Sequence, residues 1–161
     1  MKETIHEYCN QNSKVYSCFL DFSKAFDSVS HKVLICKLKD IGVPELYLNL
    51  IRFWYSNQYA KVRYNGRYSE SWKICNGVRQ GGILSGLFFC TYINSLIDKI
   101  SSLKIGCRLG LYSSNIIAYA DDIVLLAPSA SSLQLMMNVV NEEALKLELK
   151  FNADKCKILI F

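Results

Sequence analysis

Apolar and polar positions along the chain alternate between a period of two and a period near three and a half, and the switches mark its elements. Ile5, Tyr8 and Cys9 fall at helical spacing and predict a short first helix over 4–11. Residues 14–21, KVYSCFLD, predict a strand, because Val15, Tyr16, Phe19 and Leu20 suit a pleated surface, and it ends on an acid. Val33, Leu34, Leu38 and Ile41 then form a helical stripe, with Ser30 placed to cap it and Gly42 to close it in a left-handed turn. Pro44 suits the first turn of another helix, which runs through LYLNLIRFWY.

Residues 61–74 predict a hairpin around Asn65-Gly66, the favoured two-residue turn. Ala60, Val62 and Tyr64 point to one side, and Lys61 and Arg63 to the other, with Arg67 after the turn. Gly77, Gly81 and Gly82 break regular structure before a helix over 87–100, apolar nearly all round and so expected to be buried. Residues 108–112 and 116–119 predict two strands joined by a Ser113-Ser114-Asn115 turn. In IIAYADDIVLLA, two apolar runs flank Asp121 and Asp122, which predicts buried strands with the acids at a hairpin tip. Leu133, Met136, Met137, Val140, Ala144 and Leu147 mark the stripe of an amphipathic helix over 131–149, and FNADKCKILIF turns into a last strand. Helices mixed with hairpins give an α+β class with an antiparallel sheet.

Composition narrows the setting. A chain of 161 residues, 51% apolar, predicts one domain with room for a small subdomain. A net charge of +5 permits a polyanionic partner, but an ordinary solvated surface fits it equally well. Seven cysteines, an odd number with no CxxC pair, predict reduced thiols in an intracellular protein. With only His6 and His31 available, zinc ligation is not expected. The polar N-terminus is no secretory signal, and residues 83–97 are too short and too polar to span a bilayer, so a soluble protein is expected.

The candidate chemistry rests on acids. Asp121 and Asp122 repel one another on a mostly apolar ribbon, and a divalent cation reverses that penalty. If their hairpin neighbours the 14–21 strand, Asp21 becomes a third carboxylate at the same edge. Such a set suits hard Mg²⁺. Two ions about 3.5–4 Å apart would activate an attacking oxygen and stabilise a leaving one. The reaction class is phosphoryl or nucleotidyl transfer, and at this point a polymerase and a metal-dependent nuclease fit equally well. The basic side of the 61–74 hairpin offers phosphate contacts through Lys61, Arg63 and Arg67, or is simply a solvated face. The glycine turn before the 87–100 helix offers free N–H groups to an anion, although such turns usually serve geometry alone.

FLDFSKAFDSVSH, GVRQGGILSGLFFCTYIN, IIAYADDIVLLAPS and FNADKCKILIF, in this order and at this spacing, resemble the reverse transcriptase palm of non-LTR (LINE-type) retrotransposons. The resemblance covers most of the chain. It implies a ferredoxin-like palm, an antiparallel sheet with helices packed on one face, working as an RNA-directed DNA polymerase. Two Mg²⁺ ions, for which Mn²⁺ can substitute, would sit on Asp21, Asp121 and Asp122. Partners would be an RNA or DNA template, a primer strand and a dNTP, with no membrane. Phe26, five positions after Asp21, would be the gate that favours dNTPs, with core packing as the competing role. Phe22, Ala25, Gln80 and Gly81 would contact the nucleotide, and Arg79 would touch backbone phosphate. Lys155 would protonate or neutralise the departing pyrophosphate, with Lys157 close enough to compete for that role.

Two positions depart from the family pattern: Gly86 stands where proline is usual and Cys90 where asparagine is common. Residues 1–161 are expected to form a partial palm, with the basic hairpin at 58–75 belonging towards the fingers. Most of the fingers, the whole thumb and the commonly attached endonuclease are not expected within this length. The chain reads as a piece of a retroelement, weak or inactive alone. The alternative is a non-catalytic retroelement remnant or nucleic-acid-binding module.

Overall fold

The computed structural model describes residues 1–161. The chain divides into two compact units, Met1–Ala25 with Ile93–Phe161, and Phe26–Tyr92.

The first unit is built on helix α1 (Lys2–Asn10), strand β1 (Tyr16–Leu20), hairpin β6 (Arg108–Leu109) and β7 (Tyr112–Ser113), strands β8 (Ile116–Tyr119) and β9 (Asp122–Ala127), helix α5 (Ala130–Lys146) and strand β10 (Lys157–Ile160). Four strands form one antiparallel sheet in the order β10-β1-β9-β8. The two apolar runs around the acids are therefore β8 and β9, and β9 lies inside the sheet beside β1.

Alternation decides what each face does. Cys18, Leu20, Ile123, Leu125 and Ala127 share one face and are buried. On the other face Leu126 joins Val15 and Cys107 in a core against which Ile5, Tyr8, Ile117 and Val124 pack. Helix α5 lies on β1 and β9 and buries Leu133, Met136, Val140 and Ala144. Ser129 caps it, its hydroxyl accepting from the Ser132 N–H.

Asn115 closes this unit. Its buried amide donates to the carbonyls of Ile100 at 2.7 Å and Ile105 at 3.1 Å. Two carbonyls are thus satisfied by one side chain. The expected strand over 108–112 is instead the small β6–β7 hairpin, which reverses at Gly110 and Leu111. A glycine with φ of +56° breaks the extended run that the apolar pattern suggested.

The second unit contains a 3₁₀ turn (Phe26–Ser28), helices α2 (His31–Asp40) and α3 (Glu45–Ser56), and the paired strands β2 (Tyr59–Ala60) with β5 (Trp72–Lys73) and β3 (Arg63–Tyr64) with β4 (Arg67–Tyr68). Helices α2 and α3 pack together. Asn65 and Gly66 both take positive φ, +47° and +75°, as a two-residue hairpin turn requires. Ser30 stands at the N-cap of α2, but its side chain makes no capping bond.

Helix α4 (Ser85–Ser101) contributes residues to both units. Its expected burial all round is corrected: Phe88, Phe89, Tyr92, Ile93, Leu96 and Ile100 are buried, whereas Leu87 and Cys90 are exposed. All seven cysteines are free. No helix is long and apolar enough to cross a membrane.

Candidate active site

Strand register relates two of the acids of the first unit. Leu20 pairs with Ile123 across the antiparallel β1–β9 ladder. Extending that register by one residue sets Asp21 opposite Asp122. Directly opposed residues share a face and hold their Cβ atoms about 4.5–5.5 Å apart. Asp122 also pairs with Tyr119, so the reversal consists of Ala120 and Asp121. The hairpin tip is thus one residue earlier than the sequence pattern suggested: Asp121 is in the turn and Asp122 opens β9.

Ala120 carries a φ of +51°. For an L-residue with a β-carbon this left-handed conformation costs roughly 1–2 kcal/mol. Lys24, three residues after Asp21, is also left-handed at +49°. Both strained positions border the acids, where stored backbone strain commonly accompanies function.

Asp21 is half-buried, and its backbone is fixed from behind. The Asp21 N–H donates to Cys156 Sγ at 3.5 Å, its carbonyl accepts from Asn152 N at 2.8 Å, and Phe22 pairs with Phe151 by an isolated bridge and a stacked ring contact at 4.7 Å. Lys155 Nζ approaches Asp21 Oδ2 at 3.7 Å. Lys157 instead donates to the carbonyl of Asp154 at 3.0 Å. Cys156 also influences Cys18, whose thiol burial pushes up to about 11, with Cys156 adding to the shift.

The donor set suits a hard divalent cation, since all three acids offer carboxylate oxygen. No three His, Cys, Asp or Glu side chains stand in an arrangement that would hold one. The register, continued by one residue, would set Asp21 opposite Asp122, but the three carboxylates are not gathered around a common point.

The second unit carries the other predicted contacts. Gln80 is exposed, and its amide donates to Asp27 Oδ1 at 3.2 Å. Arg79 and Gln80 line a cleft of about 560 Å³ with Asp27, Gln58, Tyr59 and Gly77, and a second cleft of about 550 Å³ includes Gly81. Phe26 is partly exposed and stacks on Phe89 at 4.6 Å, so packing accounts for one of its faces. Lys61, Arg63 and Arg67 are all exposed on the hairpin. Register separates them: Arg67 faces Tyr64 across the turn, on the side opposite Lys61 and Arg63.

Phe22 and Ala25, expected at the nucleotide, are both in the first unit. Each is 3% exposed, so only their backbone could reach a ligand. Sequence reasoning missed Cys156 and Asn115, because neither a sulfur behind a strand end nor an amide clamping distant carbonyls leaves a periodic signal. The bond of Asp27 to a residue 53 positions away was likewise unmarked.

Comparison with known proteins shows the family. The family model described as reverse transcriptase (RNA-dependent DNA polymerase) matches residues 1–160. The Retrovirus-related Pol polyprotein from type-2 retrotransposable element R2DM of Drosophila melanogaster is 34% identical over 143 residues, covering 87% of this chain and 13% of that protein. The RNA-directed DNA polymerase from mobile element jockey of Drosophila funebris is 31% identical over 153 residues, covering 90% of this chain and 16% of that protein. The chain thus spans less than a fifth of the length of these relatives. Apo telomerase from Candida tropicalis, truncated from its C-terminal domain, has a similar fold, with a TM-score of 0.72 at 16% identity, over 99% of this chain and 34% of that one. An α+β fold of this likeness, together with a family match along nearly its whole length, makes the chain a member of the reverse transcriptase family, of the non-LTR retrotransposon kind.

Proposed function

We propose that this chain supplies the catalytic palm of an RNA-directed DNA polymerase, which extends a primer 3′-hydroxyl with dNTPs along an RNA or DNA template. The observation that carries the reading is the Leu20–Ile123 pairing at the end of the β1–β9 ladder, whose continuation by one residue sets Asp21 opposite Asp122 beside the Asp121 turn. Asp21, Asp121 and Asp122 would hold Mg²⁺ or Mn²⁺, as the donor type suits. Such ions supply charge neutralisation at the triphosphate and make the primer hydroxyl a better nucleophile. Small rotations of the three side chains about their strand and turn positions would complete the set.

The remaining residues have distinct tasks in this reading. Lys155 neutralises or protonates the departing pyrophosphate. Phe26 limits access at the sugar 2′ position with the ring face that Phe89 leaves open. Gln80 and Gly81 meet the nucleotide or template, and Arg79, Lys61, Arg63 and Arg67 meet phosphates. Residues 1–161 are assigned as a partial palm, with the 58–75 hairpin assigned to the fingers.

A second reading, a nucleic-acid-binding module without catalysis, is favoured by the ungathered carboxylates. Primer extension separates the two. Grafted in place of the corresponding segment of a full-length relative, this chain should support Mg²⁺-dependent incorporation of dNTPs that Asp121→Asn abolishes. A graft that binds template and primer but incorporates nothing establishes the second reading. Degradation of a labelled strand, spared by Asp21→Asn, marks a nuclease instead.

A further inference from the structure

The β2–β5 and β3–β4 pairs follow one another along the same two segments, joined by the Ser69 N–H to Val62 carbonyl bond, and the aromatic residues of this ribbon are all exposed: Tyr59, Tyr64, Tyr68 and Trp72. Exposed aromatic rings forfeit the burial that normally justifies them, so four within 14 residues call for an occupant. Three of the four cross-strand pairs couple an aromatic with a cation: Tyr59 with Lys73, Arg63 with Tyr68, and Tyr64 with Arg67.

Register sorts these side chains onto two faces. Tyr59, Lys61 and Arg63 lie in one row, and their partners Lys73 and Tyr68 lie across from it. That face therefore carries three cations and two tyrosines. Ala60, Val62 and Tyr64 lie on the other face, opposite Trp72, Ser69 and Arg67. The register shifts by one between the two ladders, so the return segment carries one extra residue between them, in the stretch with Glu70 and Ser71. A bulge there lets the ribbon twist without mixing the faces.

On the basic face the two tyrosines are four positions apart along the row, about 13 Å at strand rise. The Arg63 guanidinium lies 5.7 Å from the Tyr68 ring centroid. Tyr59, at the near end, lines the same cleft of about 560 Å³ as Arg79 and Gln80. The face is thus a track of rings and cations leading to a polar cleft within one compact unit.

We infer that this face binds an unpaired nucleic-acid strand, stacking bases on Tyr59 and Tyr68 and holding phosphates with Lys61, Arg63 and Lys73, and leads it to the cleft of Arg79 and Gln80. This rests on the reading of the chain as a nucleic-acid-handling protein, and deepens it by naming the strand state and the stacking residues. Charge complementarity selects a polyanion. The rings select unpaired bases, because a duplex keeps its base faces stacked inside and presents phosphates alone. Glu70, the one acid on the ribbon, sits at the bulge.

The test uses the 161-residue chain with a fluorescein-labelled 12-mer of uridine and a duplex of equal length, in EDTA. Single strand should bind more tightly than duplex. Tyr59→Leu with Tyr68→Leu should weaken single-strand binding about 10- to 100-fold and leave duplex binding unchanged. Lys61→Gln with Arg63→Gln should weaken both and flatten the salt dependence by one to two ion equivalents, roughly 0.7–0.9 each. Unaltered single-strand affinity in the leucine variant, or equal affinity for the two forms, overturns the proposal. Equally tight binding of polyglutamate overturns it in favour of an acidic protein partner.

Photocrosslinking of the unaltered chain to a strand bearing 5-iodouracil avoids any folding defect. Crosslinks at Tyr59 or Tyr68 are expected, and crosslinks elsewhere alone overturn the assignment. No readout involves turnover or metal. Failure here leaves the Asp21–Asp122 reading standing, and an inert Asp121 site leaves this one standing.

Discussion

Lys155 Nζ stands 3.7 Å from Asp21 Oδ2, while Lys157, two residues later, turns back to the carbonyl of Asp154. In sequence Lys155 matched the assisting role, with Lys157 close enough to compete for it. Strand β10 separates them, because Lys157 is its first residue, paired opposite Phe19, and Lys155 lies in the turn before it. Only Lys155 is directed at an acid of the candidate site. In a polymerase carrying this palm, Lys155→Gln should lower kcat roughly 10- to 100-fold, within the usual range for a proton-transferring group. Lys157→Gln should stay within about twofold, and single-turnover extension with saturating dNTP measures both. Equal losses from the two would remove Lys155 from the proposed role.

Asn115 and Gly106 form a second testable pair. A β-carbon on Gly106 would lie 2.3 Å from Asn115 Cβ and 3.0 Å from the Leu126 carbonyl, at a φ of +96°. Gly106→Ala therefore combines a clash with backbone that alanine rarely adopts. A loss of about 2–4 kcal/mol is expected by urea unfolding. Asn115→Ala leaves the Ile100 and Ile105 carbonyls without their amide partner in the interior, and a loss of about 1–3 kcal/mol follows for such orphaned groups. The double variant should lose less than the sum, since truncating Asn115 to alanine lets the local backbone relax around residue 106.

These residues also show where the sequence was legible. Short apolar, β-branched runs marked β1, β8 and β9, because such runs suit buried strands, and an acid pair between two of them implied a tight reversal. Asn65-Gly66 marked its turn, since few residues accept two consecutive positive φ values. Register was not legible. Nothing in the sequence said that Leu20 pairs with Ile123, which is what sets Asp21 against Asp122. Contacts carried by single polar atoms across long separations were equally silent, as with the Asn115 amide, Cys156 behind Asp21, and Gln80 on Asp27. The smooth helix over 87–100 misled for a related reason. Apolarity all round implied burial, yet Leu87 and Cys90 are exposed.

Gly86 is the departure from the family pattern with a measurable consequence. It is the second residue of α4, its φ is not in the left-handed region, and a β-carbon there meets nothing within 4 Å. Glycine at such a position only adds freedom to the unfolded chain. Gly86→Ala should stabilise by about 0.5–1 kcal/mol. For a chain of this size that raises Tm by about 1–4 °C in a thermal scan. A lowered Tm would mean that the first turn of α4 needs the flexibility.

Two buried thiols predict the alkaline limit of stability. Burial pushes Cys18 and Cys107 from an ordinary 9.0 up to about 11, with the Tyr8 hydrogen bond partly offsetting the shift at Cys107. A raised pKa in the folded state means that the folded chain keeps its thiol protons after the unfolded chain has released them. Unfolding then releases protons between pH 9 and pH 11, so the free energy of unfolding falls as pH rises through that window. The contribution is complete below pH 9 and gone once both folded thiols ionise above pH 11. Each thiol accounts for on the order of 2 kcal/mol at most. Urea midpoints measured at pH 8, 9.5 and 10.5 under reducing conditions should decline across this range. Cys18→Ala should start from a lower midpoint at pH 8, because it leaves a small cavity, and should then decline less steeply. A slope unchanged by Cys18→Ala would assign the alkaline loss to other groups, of which Tyr55, whose buried hydroxyl is also raised, is the first to examine.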